Sequence, residues 1–147
     1  MAAAGALRVV IDTNVVVSAV LWQGTPGRLI AQATDGEIEL CTSAALLDEL
    51  ADVLSRKKLA KAVAKTGSTA DGLFKGFKQL ARRVHVRSLT KQVSRDADDD
   101  AVLACALAAR ADLIVSGDVH LLELGSFRSI PIIKAAEAVR LIEAAKK

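Results

Sequence analysis

The stretch RVVIDTNVVVSAVLW, residues 8 to 22, changes character at its single acid. Up to Asp12 it is a run of β-branched residues, Val9, Val10 and Ile11, which predicts a buried strand over Arg8 to Asp12; beyond it the pattern predicts a helix near 14 to 22. The same order returns in ADLIVSGD, residues 111 to 118, where a strand over Leu113 to Ser116 runs towards Asp118. Strands alternating with helices in this way indicate an α/β domain on a mostly parallel sheet, and ligands of such sheets bind just beyond the carboxyl ends of the strands. Either aspartate alone also reads as a helix N-cap or turn residue; together they point to a site. The stretch is not a membrane span, because Asp12, Asn14 and Ser18 interrupt it and it falls short of the ~20 residues a bilayer requires.

Further strands are expected at Glu37 to Cys41, Val84 to Arg87 and Ile130 to Ile133, with helices near 25 to 35, 43 to 55, 58 to 65, 69 to 83, 98 to 110 and 135 to 145. Ser43 is placed to cap one helix and Gly36 to end another. The 147 residues, 52% hydrophobic and 25% charged, suit one domain spanning 1 to 147. A chain of this length buries roughly 70% of its extended surface, so it needs neither disulfides nor a structural metal. Cys41 and Cys105 each lie in an apolar run with no second Cys or His at zinc-ligand spacing, which fits a reducing cytoplasm.

The net charge of +3 conceals an asymmetry. Residues 56 to 95 hold twelve Lys and Arg against one acid, Asp71, while the rest of the chain is net negative. One limb thus attracts phosphates and the body attracts cations, so a nucleic acid strand could lie across both; solvated helices are the simpler account of the same lysines. Phe74 and Phe77 are the only aromatics in that limb, so backbone electrostatics rather than base stacking would drive binding there.

Helical geometry selects two more acids. On a helix from Ser43, Leu46, Leu47, Leu50, Val53 and Leu54 form one stripe, and Glu49 falls on its border while Asp48 and Asp52 point to solvent. On the later helix Asp99 stands in line with Val102, Leu103 and Ala106, and Asp98 and Asp100 turn aside. Asp96 and Asp98 also read as first-turn acids facing the helix dipole. Desolvated carboxylates repel one another unless they protonate or share a cation, and an all-oxygen donor set points to Mg²⁺ or Mn²⁺. Asn14 and Ser18, four apart on the first helix, can turn to the same place or simply line an exposed face. Ser116 and Gly117 would let the backbone approach a ligand closely, or form a simple turn.

These residues resemble a known family. VIDTNVVVSAVLWQGTPGRLI (10 to 30), TSAALLDELADVLSRKKL (42 to 59), DADDDAVLACALAARADLIVSGDVHLL (96 to 122) and IPII (130 to 133) are similar, in order, to the PIN-domain nucleases. They are most similar to the bacterial VapC-like toxins of toxin-antitoxin pairs. The resemblance implies a three-layer sandwich of about five mostly parallel strands between helices, here with a basic helical hairpin inserted. It implies four acids around Mg²⁺ or Mn²⁺, corresponding to Asp12, Glu49, Asp99 and Asp118, with Asn14, Ser18 and Ser116 supporting them. Ala97 replaces a proline common in the family's DPDDD pattern, and His120 stands where relatives often carry a further Asp. His120 reads as a surface histidine, and His85, between Val84 and Val86 in an expected strand, as a structural one.

The expected activity is a metal-dependent endoribonuclease of the cytoplasm, with Arg56, Lys57, Lys58, Lys61, Arg82 and Arg83 holding the RNA backbone. The resemblance alone implies the toxin role, a small antitoxin partner and self-association as a homodimer. Two rivals stand beside it. One is a non-catalytic module binding nucleic acid or protein through the basic limb. The other is a haloacid-dehalogenase-type phosphatase, suggested by DTNVV after an apolar strand, although its general acid would fall at Asn14.

Overall fold

The protein is described by a computed structural model covering residues 5–87 and 97–145, with the side chains of Ala97 and Asp98 excepted. Asp96, Lys91, Arg95 and the Ala97 departure from DPDDD therefore lie outside the described residues. The elements run β1 (Leu7–Ile11), α1 (Thr13–Leu21), α2 (Gly24–Thr34), β2 (Ile38–Thr42), α3 (Ala44–Leu54), a 3-10 turn (Lys57–Leu59), α4 (Ala60–Lys65) and α5 (Ala70–Leu80). They continue with β3 (Arg82–Arg83), α6 (Ala97–Ala109), β4 (Leu113–Val115), α7 (Val119–Leu124), β5 (Ser126–Phe127), β6 (Ile130–Ile133) and α8 (Ala135–Ala145). The six strands form a mixed, mostly parallel sheet in the order β3-β2-β1-β4-β6-β5, with only β5 antiparallel to its neighbour.

Alternation along the strands divides the core into two layers. Val9, Ile11, Ile38, Leu40, Leu113 and Val115 face one side, where α1, α2, α3 and α8 supply Val16, Leu29, Leu50 and Ile142. Val10, Cys41, Ile114 and Ile132 face the other, where α6 supplies Val102, Leu103, Cys105 and Ala106. Leu46 is the one buried α3 residue of this second layer, so α3 straddles the sheet end and packs on α1, α5 and α6.

Local chemistry accounts for most boundaries. Ser43 caps α3 by accepting from the Leu46 N–H at 3.3 Å, and Gly36, at φ +78°, follows α2 in the left-handed conformation expected of a helix-ending glycine. Three features depart from expectation. The helix expected over 69 to 83 stops at Leu80, because Ala81 is extended and Arg82–Arg83 pair with Cys41–Thr42. The third strand is therefore Arg82–Arg83 rather than Val84 to Arg87. Beyond Thr42 the partner strand turns into α3, so after one bond, Val84 N–H to the Thr42 carbonyl at 2.8 Å, the ladder has nothing left to pair with. The hairpin β5–β6 is new: its two-residue loop, Arg128 and Ser129, has both φ positive (47° and 69°), the geometry of a type I′ turn, without the Asn-Gly chemistry that signals one. The short helix α7 was likewise unannounced, its N-cap being Asp118. No described helix is long and apolar enough to cross a membrane.

Candidate metal and nucleic-acid site

Because β1, β2, β3, β4 and β6 run parallel, the residues that follow them emerge at one rim. The chain builds outward from β1 to β2 and β3 on one side and from β4 to β6 on the other, so the β1/β4 boundary is the point where strand order reverses, the usual ligand crevice of such sheets. Asp12 and Asp118 follow these two strands.

Asp12 is 7% exposed. Its N–H donates to the Val115 carbonyl at 2.9 Å, and its own carbonyl accepts from Val15 and Val16 to start α1. Its carboxylate does not cap that helix; Oδ2 instead accepts from the Ser116 hydroxyl at 2.8 Å. The Ser116 oxygen in turn accepts from the Asp118 N–H at 3.0 Å, so one fully buried hydroxyl ties the ends of β1 and β4 together. The Asp118 carboxylate caps α7 through Oδ1, which accepts from the His120 and Leu121 N–H groups at 2.7 and 3.3 Å. The N-cap reading of Asp118 is thus correct for this oxygen, and Oδ2 is not engaged in the cap.

Asp99 lies in the first turn of α6, 3% exposed and in line with Val102 and Leu103 of the second core layer. Glu49 is half-buried on α3, one turn beyond Leu46, the residue through which α3 enters that same layer. Asp12 and Ser116 carry the alternation of Val10 and Ile114 one step further, towards the same side. Asp12 and Asp99 thus belong to the α6 side of the sheet, Glu49 stands one turn along α3 from Leu46, and Asp118 is tied to Asp12 through Ser116. Among the described residues, however, no three His, Cys, Asp or Glu side chains gather as a group that could hold a metal ion. Asp12 and Asp118 are joined by a hydrogen-bond path through Ser116. The donor chemistry fits a hard divalent cation, since every candidate ligand is an oxygen. Of the supporting residues, Asn14 is exposed on α1 and Ser18 half-buried. Gly117 has open space where a Cβ would sit and no positive φ, so the fold does not demand a glycine there.

The six basic residues do not act alike. Arg56 pairs with Asp52 at 3.1 Å, and Arg82 with Glu39 at 3.0 Å, where Glu39 also meets Arg8. Lys57, Lys58 and Lys61 are exposed around the 3-10 turn and α4. Arg83 is exposed and has no acidic partner among the described residues. His85 lies beyond β3 and is exposed, which corrects its reading as a structural strand residue; the missed signal was the short β2, whose end sets the end of β3. His120 is exposed, as expected. A groove of about 590 Å³ beside His85 runs between α3 and α6. A larger one, about 1,010 Å³, lies elsewhere, between α2 and α5, with Ile30 and Phe77 in its wall and none of the four acids.

A family model described as "PIN domain" matches residues 8–120, a span holding all four acids. The chain belongs to the PIN-domain family. The PIN fold is also what the solved structures show: a chain of VapBC2 from Rickettsia felis, determined bound to a DNA fragment from their promoter, superposes with TM-score 0.59 at 14% identity, over 86% of this chain and 97% of that one. At that identity the likeness speaks for the fold. No curated protein sequence matches this PIN domain.

Proposed function

We propose that this PIN domain is a metal-dependent endoribonuclease acting as the toxin of a toxin-antitoxin pair. The observation that carries the reading is the buried Asp12–Ser116–Asp118 connection at the strand-order reversal, with Asp99 on α6 and Glu49 on α3, the helix that straddles the sheet end. Asp12, Glu49, Asp99 and Asp118 would hold Mg²⁺ or Mn²⁺, which supplies, when bound, an activated water and charge neutralisation at the phosphate. The cation would offset the charge of the carboxylates that meet a phosphodiester, since like charges repel. Ser116 orients Asp12, and the α7 cap fixes Asp118 so that Oδ2 is the oxygen left for a ligand. Asn14 and Ser18 on α1 stand in support. Neither cysteine is a candidate nucleophile: burial pushes the Cys41 thiol up to about 11 and Cys105 to about 12. Lys57, Lys58, Lys61 and Arg83 hold the RNA backbone, with Arg56 and Arg82 exchanging their present carboxylate partners for phosphates.

The partner side of the proposal is a small antitoxin that places an Arg or Lys among the carboxylates, with the toxin self-associating as a homodimer and acting in the cytoplasm. The test is cleavage of single-stranded RNA by purified protein with Mg²⁺ or Mn²⁺, with EDTA, and by Asp99→Asn. Loss of at least about 10²-fold in both latter cases is expected, the scale on which removing charge stabilisation at a reacting centre acts. Cleavage that survives both would sink the mechanism. The non-catalytic reading draws on the absence of a three-ligand group among the described residues. It predicts RNA binding without cleavage, and no calorimetric heat on titrating Mn²⁺.

A further inference from the structure

The groove between α3 and α6 is a product of small residues. Its walls include Ala45 from the first turn of α3 and Ala101 and Ala104 from α6, and its outer edge is the chain leaving β3, Arg83 to Val86. Any larger residue at the alanines would fill it; as it stands it holds about 590 Å³, inside the ~300–1,000 Å³ range of small-ligand sites. No acid lines it. Ala101 and Ala104 lie on the opposite side of α6 from Asp99, whereas Glu49 is one turn along α3 from Ala45 and near its side, so the groove uses the two helices that carry these acids.

The edge of the groove carries the two groups that the strand pairing releases. Arg82 is occupied by Glu39, but Arg83, one residue on, has no acidic partner among the described residues, and His85 is exposed and forms no ion pair with a described acid. A guanidinium suits a phosphate, an imidazole stacks on a base, and an alanine floor admits a flat ring without obstruction. A protein segment would instead seat a large apolar anchor, for which Val84 and Val86 are the largest apolar side chains among the described lining residues.

We propose that this groove is a subsite for one nucleotide of single-stranded RNA, its base lying on the Ala45, Ala101 and Ala104 floor against His85 and its phosphate on Arg83. The subsite rests on the nuclease reading for its biological meaning, but binding tests it independently of cleavage. The experiment is fluorescence anisotropy with a short labelled single-stranded RNA in EDTA, over a salt series, on wild type, Arg83→Ala, His85→Ala and Ala104→Leu. Arg83→Ala weakens binding and lowers the salt slope by about 1, the signature of one lost phosphate contact. His85→Ala weakens it about fivefold or more at unchanged slope, the scale of one stacked base. Ala104→Leu weakens it by occupying the floor, with thermal melting as the folding control; the two surface variants keep the test decisive if that one misfolds. Wild-type affinity in His85→Ala and unchanged slope in Arg83→Ala overturn the subsite, even where metal-dependent cleavage is seen. The predicted losses without any cleavage by wild type would retain the subsite and overturn the nuclease.

Discussion

On one face of the sheet, Val9, Ile11, Ile38, Leu40, Leu113 and Val115 lie under four helices that answer with Leu, Ile and Val; on the other, Val10, Cys41 and Ile114 meet an α6 whose buried face includes Cys105, Ala106 and Ala109. The first layer is thick and mostly aliphatic, with Phe77 its one buried aromatic among the described residues. The second is thinner, and Asp12, Asp99, Ser116, both thiols and the alanine-floored groove are found on its side. Large interlocking side chains secure the fold, and small ones let a helix approach closely enough to bring Asp99 into line with the sheet, at some cost in apolar burial.

Truncation tests this contrast most strongly. Leu50→Ala, at a 2% exposed position of the thick layer, should cost about 2–5 kcal/mol in denaturant unfolding, whereas Ala106→Gly in the thin layer should cost about 1 kcal/mol, its helix-propensity penalty. Equal costs would break the comparison. Ser116→Ala comes next, at about 1–3 kcal/mol, because it leaves the Asp12 Oδ2 and the Asp118 N–H each short of a buried partner. Its RNA cleavage should fall as well, while a stability loss with full cleavage would show that the serine is only a brace.

The thiols sharpen the same point through pH. Burial, above all, raises Cys41 from 9.0 to about 11 and Cys105 from 9.0 to about 12, so the folded state holds these protons more tightly than the unfolded chain. Their contribution to stability is complete below about pH 9 and is lost as the pH rises towards 11 to 12. Iodoacetamide at pH 8 should label neither thiol until the protein is unfolded; rapid labelling would mean that the thin layer opens. The smallest effect belongs to the surface: Asp52→Ala, which releases Arg56, should shift stability by no more than about 0.5 kcal/mol and strengthen RNA binding slightly.

Most of the scaffold could be read from periodicity. The apolar runs at β1, β2, β4 and β6 and every expected helix but α5 fall within one or two residues of expectation, and Ser43 and Gly36 act as their chemistry predicts. The failures share a cause. At β3 the outcome depended on how far β2 extends, at β5–β6 on a turn formed by residues that do not advertise it, and at α7 on Asp118 serving as a cap while also standing at the rim. Each is a decision taken between segments rather than within one.

Patterns of apolar and acidic residues along the chain were enough to establish an α/β sheet with Asp12 and Asp118 past its strand ends, Asp99 facing inward and Glu49 on the border of its helix's apolar stripe. They are local consequences of side-chain period and need no partner to be legible. The Ser116 link, the pairing that occupies Arg82 but not Arg83, and the groove left beside His85 arise from contacts between residues up to 104 positions apart in the chain. Such distances are set by packing, where the volume of an alanine on one helix determines the space open to a strand arriving from elsewhere.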